Sequence, residues 1–243
     1  MTAHLATFET EAGCTNCKSR KNGLCGRLSD QVRERVAARA QIVSYPANRR
    51  ICGGEGDSSD VVILRSGYVR TQHHTLSGRR QIMAIARPGQ TVGQENEERN
   101  EHEIEAITPV SVCRLERLEF EQLLSREPGL CGALCNQMVT RLDEARRLTW
   151  ILGALESNQR LRAFLLLSRN WMDWAPQPDG TGVLTMILPR RDIADLLATT
   201  PETISRLLRQ LHAQGLIEIL SPRQFRLCDI PGLADGLDMV IPL

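Results

Sequence analysis

Eight cysteines are spread through 243 residues, and three of them fall together as Cys14, Cys17 and Cys25, a C-x2-C-x7-C array. Thiolates at such spacing bind zinc or the iron of an iron–sulfur cluster. Three thiolates leave a four-ligand centre one short, so a further ligand has to come from elsewhere in the chain. The surrounding segment carries Gly13, Asn22, Gly23 and Gly26 and little hydrophobic periodicity, as a loop wrapped around an inorganic centre would. A tail with incidental cysteines is the plainer alternative. Of the remaining cysteines, Cys131 and Cys135 are four apart and are expected to pack in a helical core. Cys113 lies in the strand-like run Ser-Val-Cys-Arg-Leu, where a buried cysteine ordinarily behaves as a small hydrophobe. Cys52 is the one substitute ligand, and His73-His74, without partners at ligand spacing, are expected on an exposed turn.

A second kind of chemistry is written between Arg190 and Gly215, RRDIADLLATTPETISRLLRQLHAQG. Ile193, Leu196 and Leu197 give one short helix an apolar face, and Ile204, Leu207, Leu208 and Leu211 repeat the period in a second. Thr199 or Thr200 can cap the second helix, Pro201 suits its first position, and Gly215 ends it. With the apolar positions committed to packing, Glu202, Thr203, Ser205, Arg206 and Arg209 remain on the outer face near the helix N-terminus, where a helix-turn-helix protein meets base edges in the major groove of double-stranded DNA. Arg can grip guanine O6 and N7, Glu can accept from cytosine N4, and Ser can serve either role. Leu216–Ile219, a turn at Ser221-Pro222-Arg223 and Gln224–Leu227 then read as a β-hairpin, the wing of a winged helix. A surface-charged helical hairpin in an ordinary α domain is the competing reading of the helix pair alone.

These segments need a frame. Leu28 to Ala40 predicts a short amphipathic helix with a serine cap. Beyond it Gly56, Gly67, Gly78 and Gly89 recur every eleven residues between the β-rich runs Val61–Leu64, Tyr68–Thr71 and Gln81–Ala86, which predicts an antiparallel roll with turns at Arg65-Ser66-Gly67 and Arg87-Pro88-Gly89. From about Gly132 onward, Leu134, Met138, Leu142, Ala145, Leu148 or Thr149, Leu152 and Leu155 recur in steps of three and four, the seam of one long helix. A seam of that length has either an intrachain roof to cover or a second copy of itself, and palindromic DNA sites favour a two-fold homodimer. Residues 160–175 predict the first helix of a C-terminal domain, followed by the loop Pro176–Gly182 and a strand at Val183–Leu188.

The segment ETISRLLRQL followed by GLIEI resembles the DNA-reading part of the regulators related to the cyclic-AMP receptor protein, and in particular their fumarate and nitrate reductase regulator (FNR) branch. The resemblance covers nearly the whole chain. It implies an α+β architecture of double-stranded β-helix (jelly-roll) sensor domain, long dimerisation helix and winged helix-turn-helix. The corresponding divisions are residues 1–27 for the cysteine-rich segment, 28–130 for the roll, 131–157 for the helix and 158–243 for the DNA-binding domain. It implies that Glu202, Ser205 and Arg206 read a TTGAT-like half-site, and that RNA polymerase is a partner. It further implies one oxygen-labile 4Fe-4S cluster per subunit, held by Cys14, Cys17 and Cys25 with Cys113 as the fourth ligand. The seven residues between Cys17 and Cys25 exceed the family's usual five and leave that loop slack.

In the cyclic-nucleotide-binding relatives, a Gly-Glu opening and an Arg-Ser pair grip the phosphate. Here the corresponding stretch carries six carboxylates between Glu95 and Glu105 against the single Arg99, a field that repels phosphate, so cyclic nucleotide binding is not expected and the run reads as a solvated loop.

Composition narrows the rest. A net charge of +1 says little about partners, and nine arginines against six acids between Arg160 and Cys228 are compatible with phosphate contacts. The N-terminus has no basic and apolar signal pattern, and no run approaches the ~20 apolar residues of a membrane span, so a cytoplasmic protein is expected. Eight cysteines without a signal peptide argue against a secreted disulfide scaffold. No Ser/His/Asp constellation or phosphate-binding glycine loop points to an enzyme. Two other readings stay open: a regulator of the same fold gated by a small molecule in the roll, with structural cysteines only, and a zinc- or cluster-containing redox enzyme.

Overall fold

A strand with one face in water alternates, yet Val61, Val62, Ile63 and Leu64 are all buried, so both faces of that strand are covered. The computed structural model describes residues 7–8, 14, 17–52, 60–93 and 102–237, and the chain divides into two units, residues 1–144 and 145–243. The first unit begins with β1 (Thr7–Phe8), a 3-10 turn at Lys18–Lys21, α1 (Gly23–Gly26) and α2 (Asp30–Ala37). It continues through β2 (Gln41–Tyr45), β3 (Arg50–Cys52), β4 (Val61–Ser66), β5 (Val69–His74), β6 (Arg80–Ala86), β7 (Thr91–Val92), β8 (Glu103–Ala106) and β9 (Val110–Leu115). α3 (Arg117–Arg126) and α4 (Pro128–Ala154) follow. The strands form two antiparallel sheets, ordered β1-β2-β9-β4-β7 and β3-β8-β5-β6, the expected double-stranded β-helix. Gly67 and Gly89 turn its corners at φ 79° and 90°, a region where only glycine is unstrained; Gly56 lies outside the described residues.

Alternation along β4 and β9 explains the continuous burial. Val62, Leu64, Val110 and Val112 point into the roll with Val43, Val69 and Ile104. Val61, Ile63 and Leu115 point the other way, into a second core built with Leu24, Leu28, Val36, Phe120, Leu123 and Leu130. α2 starts where Ser29 accepts a hydrogen bond from Val32 N, as the serine cap predicted. α4 turns Leu130, Ala133 and Gln137 toward its own unit.

The second unit holds α5 (Ser157–Ser168), β10 (Asp173–Pro176), β11 (Gly182–Thr185), α6 (Arg190–Leu196), α7 (Pro201–Ala213), β12 (Ile217–Ser221), β13 (Gln224–Leu227) and α8 (Ile230–Ala234). Its sheet runs β10-β11-β13-β12.

Four expectations are corrected. The helix expected over 160–175 stops at Ser168, because Asp173–Pro176 pairs with Gly182–Thr185 and the Trp174 ring lies over Gly182; sheet pairing overrides local helical propensity here. Cys131 and Cys135 are exposed rather than in a core, since other positions take the buried side of α4. His73 and His74 lie on β5, where His73 meets the His102 ring edge-on at 5.8 Å and His74 Nδ1 is 3.5 Å from Glu103. Glu103 and Glu105 belong to β8 rather than to a solvated loop: Glu105 pairs with the buried Arg70 guanidinium at 2.5 Å and accepts from Gln72 at 2.9 Å. Residues 94–101 of the acidic run lie outside the described residues.

Candidate metal centre and candidate nucleic-acid interface

Cys113 is next to Val112 on β9 and therefore faces the opposite way, out of the roll and onto the second core. It stands between Ile42 and Ile63 in the ladders with β2 and β4. Cys25, on the short helix α1, packs against that same second core. The short helix is seated by a close backbone approach: Leu24 N donates to Gly89 O at 2.7 Å, and a Cβ on either Gly23 or Gly89 would run into backbone of the other segment. Cys14 Sγ is 3.7 Å from Arg33 O, and Cys17 Sγ is 3.0 Å from Ser19 Oγ.

The four thiols are electrostatic neighbours. Burial pushes Cys25 up to about 11, with the negative forms of Cys14 and Cys17 adding to the effect. Burial likewise pushes Cys113 up to about 12, while Arg65 opposes it and Cys25, Cys14 and Cys17 reinforce it. Cys14 is raised by burial and by Cys17. Cys17 goes the other way: burial raises it, but hydrogen bonds from Ser19 and Arg65 outweigh burial and hold it below the usual thiol value. Among the described residues no three His, Cys, Asp or Glu side chains stand close enough together to hold a metal ion as placed. In number and kind, four thiols partly or largely withdrawn from water, with Arg33 and Arg65 to offset thiolate charge, are a donor set that suits an iron–sulfur cluster. Cys52 is excluded from this neighbourhood: it belongs to the roll interior, with its Sγ beside Gly93. Nothing in the spacing of Ser19, Arg33 and Arg65 links them to the cysteines in sequence, and Arg65 carries only a turn signal there.

In the second unit, the helix pair is as the periodicity predicted. Ile193, Leu197, Ile204, Leu207, Leu208 and Leu211 are buried together, and Thr200 is the cap, accepting from Thr203 N at 3.2 Å with Pro201 following. Ala198 in the turn adopts φ 53°, a left-handed conformation costly for any residue but glycine. Glu202, Arg206 and Arg209 are exposed, and Thr203 and Ser205 half-buried. The five do not stand alike. Ser205 Oγ donates to Pro201 O at 2.8 Å and Arg209 Nε to Ser205 O at 3.3 Å, while Arg206 makes no hydrogen bond or ion pair among the described residues. The Glu202 carboxyl is held below its usual range by its own backbone N–H and by Thr200, the behaviour of an acid at a helix N-terminus. β12 and β13 form the expected hairpin, with Ser221 Oγ accepting from Arg223 N and Gln224 N and Glu218 paired to Arg226 at 2.8 Å. Arg190 joins the hairpin to α6: its guanidinium lies 4.9 Å from the Phe225 ring centroid and donates to Pro222 O at 3.2 Å.

The helix seam is divided by its surroundings. Leu134 is partly buried against the second core and Leu155 is buried. Met138, Leu142, Ala145 and Thr149 are exposed, Leu142 to 50 %, and Leu152 is intermediate.

Comparison with known proteins places these features together. Residues 159–235 match the Crp-like helix-turn-helix domain and residues 42–127 the cyclic nucleotide-binding domain. The nitrogen fixation regulation protein FixK of Azorhizobium caulinodans is 32 % identical over 240 residues, covering 93 % of either chain. The transcriptional activator protein FnrL of Cereibacter sphaeroides is 26 % identical over 91 % of this chain and 90 % of its own. The solved structure of FixK2 from Bradyrhizobium japonicum superposes with a TM-score of 0.69 at 30 % identity, covering 80 % of this chain and 95 % of that one.

Proposed function

The chain belongs to the CRP/FNR superfamily of DNA-binding transcription regulators, including its FNR-like branch, and from that premise we propose an oxygen-responsive regulator that carries a 4Fe-4S cluster on Cys14, Cys17, Cys25 and Cys113. It acts as a homodimer on palindromic TTGAT-like DNA, with RNA polymerase as its further partner. The observation that carries the reading is the common neighbourhood of Cys25 and Cys113: two residues far apart in sequence pack against one core, with Cys14 and Cys17 in electrostatic reach of both. Bound there, a cluster would supply an oxygen-labile cross-link between the N-terminal segment and the central strand β9.

The chain's own residues supply the connection from that segment to the dimer helix. Leu24 rests on Gly89, and two residues on Thr91 is bonded from both sides to Gln137 of α4, at 2.7 Å for Gln137 Nε2 to Thr91 Oγ1. Arg141 of α4 donates to the Thr91 carbonyl and Arg87 pairs with Glu144 at 3.1 Å. A shift of the cysteine segment thus bears on the turn Arg87–Thr91, and that turn on the helix. Glu202, Ser205 and Arg206 are the base readers in this proposal, with Thr203 and Arg209 beside them on the DNA face. The roll serves as scaffold in this proposal, with a core of Val43, Val62, Leu64, Val69 and Val112.

Visible absorption with iron and sulfide analysis of protein purified without air tests the proposal. A brown protein with about four irons per chain, bleached by air, is the expected result. A colourless protein that binds DNA equally with and without air overturns it.

A further inference from the structure

The exposed side of α4 begins earlier than the leucine seam suggests. Cys131 and Cys135 are both exposed, and with Met138, Leu142, Ala145 and Thr149 they continue one series of steps of four and three. That is the heptad spacing of a left-handed pair of helices. On the same stretch Leu130, Ala133 and Gln137 are buried in the unit itself, so the helix has one side committed to its own roll and another, bearing the two thiols, that is exposed among the described residues.

We infer that Cys131 and Cys135 extend the helix pairing face, and that Cys135 lies across the two-fold axis from the Cys135 of a second copy, where the two can be joined as an intersubunit disulfide. The inference rests on the homodimer proposed above and adds its register. The occupant is a second copy in parallel orientation, because the DNA-binding domain follows the C-terminal end of α4 and two copies reading half-sites about one helical turn apart need those ends on the same side, related by a two-fold axis along the pair; a parallel pair in register places each seam residue opposite itself. Packed helices run about 8–10 Å apart and each Cα lies about 2.3 Å from its axis, which leaves roughly 3.4–5.4 Å between facing Cα atoms, and the wider half of that range falls within the span of a disulfide. Cys135 is favoured over Cys131 because seam layers flank it on both sides, whereas Cys131 stands at the open end of the series.

The oxidant is a low-molecular-weight disulfide. The thiolate of one Cys135 attacks it, forming a mixed disulfide and releasing one small thiol. The thiolate of the second Cys135 attacks the protein sulfur of that mixed disulfide and releases the other. Two protein thiols are oxidised, one small disulfide is reduced to two thiols, and the two thiol protons leave with them.

The test uses the full-length reduced chain treated with oxidised glutathione, followed by non-reducing electrophoresis and, on the same samples, sedimentation velocity before oxidation. A covalent dimer that is lost in Cys135→Ser, retained in Cys131→Ser and in Cys228→Ser, and recovered by mass spectrometry as the 127–141 peptide joined to its own copy is the expected result. A chain that sediments as a dimer yet gives no Cys135-dependent cross-link overturns the register while leaving the dimer standing. A chain that sediments as a monomer without air overturns the homodimer itself. A cross-link that survives Cys135→Ser and vanishes in Cys131→Ser also overturns the assignment.

Discussion

Leu24 donates its backbone N–H to the carbonyl of Gly89 at 2.7 Å, so the helix that carries Cys25 sits directly on the turn that grips α4 through Thr91 and Gln137. The contact depends on two glycines at positive φ, Gly23 at 52° and Gly89 at 90°, whose missing side chains make room for each other's backbone.

Gly89→Ala should therefore unseat the cysteine segment. Left-handed strain alone costs about 1–3 kcal/mol, and the added methyl would meet the Asn22 carbonyl as well. Gly78→Ala is the control, with φ 79° but open space around it. Iron content and thermal unfolding of the two variants, both purified without air, make the comparison. Equal losses in the two would show that the docking contact adds nothing to backbone strain.

Cys113→Ser should leave a folded protein that no longer retains iron, since the side chain is at the edge of the second core and, in the proposed function, the lost group is chiefly a ligand. Cys52→Ser should keep its iron and instead lose about 1–3 kcal/mol of stability, because it buries a hydroxyl among the valines of the roll. Iron analysis and urea melts on both proteins decide the point. Iron lost from Cys52→Ser, with Cys113→Ser unaffected, would move the ligand inside the roll.

The opposed shifts of the four thiols give a pH signature in metal-free, reduced protein. Cys17 is depressed below the ordinary thiol value, so its thiolate forms at lower pH and, of these four, it should be alkylated first by iodoacetamide near neutral pH. Cys25 and Cys113 are raised from 9.0 to about 11 and about 12, which favours their neutral form in the fold. That contribution is complete below the ordinary value and is lost as pH climbs from 9 toward 11 and 12. Stability should accordingly fall on the alkaline side, less steeply in Cys113→Ser. Residue-resolved labelling by mass spectrometry that finds Cys113 reacting before Cys17 would contradict the assignment.

Much of this was legible in the chain because the signals were local. Periodicity with a Thr-Pro start gave α6 and α7, and glycine spacing gave the roll; both are set by near neighbours in sequence. What could not be read came from partners far away. Trp174 joins a sheet because of Gly182 and its strand, and Arg65 finds Cys17 only once β4 and the N-terminal segment meet. The exposure of Cys131 and Cys135 has a signal, their place at the head of the three-four series, whereas a cysteine pair four apart taken alone points to a core. Ala198 stands where the turn demands a left-handed residue, a requirement the amino-acid type conceals.

Of the proposed base readers, Arg206 is the most open to test. Its exposed guanidinium has nothing to give up within the described residues, so Arg206→Ala should weaken binding to the specific site by about 1–3 kcal/mol and to random DNA far less. Glu202 is engaged at the helix N-terminus, and Glu202→Ala should relax preference at one base pair while leaving the salt slope nearly unchanged, because it neutralises no phosphate. Titrations on specific and scrambled duplexes over a range of salt make both measurements. Equal losses on the two sequences would reduce Arg206 to a phosphate contact.

The proposed switch is testable at Thr149. Its hydroxyl donates back to Ala145 O at 2.9 Å and is exposed on the proposed pairing side of α4, where it would contribute a polar, self-satisfied layer between the apolar ones of Leu142 and Leu152. Thr149→Ile would leave no donor stranded, and a β-branched apolar residue at this heptad position favours a two-stranded pair. If oxygen acts by loosening a closely balanced helix pairing, a modest gain at the seam should offset it, since a dimer near its dissociation constant responds strongly to small changes. Thr149→Ile should then hold more dimer and bind DNA more tightly in air than the parent, while Cys113→Ser should be largely monomeric even without air, and the double variant intermediate. Sedimentation of the three proteins and the parent, with and without air, supplies the answer. A parent dimer of the same affinity in both conditions would place the switch in a rearrangement inside a permanent dimer, with Thr149→Ile then neutral.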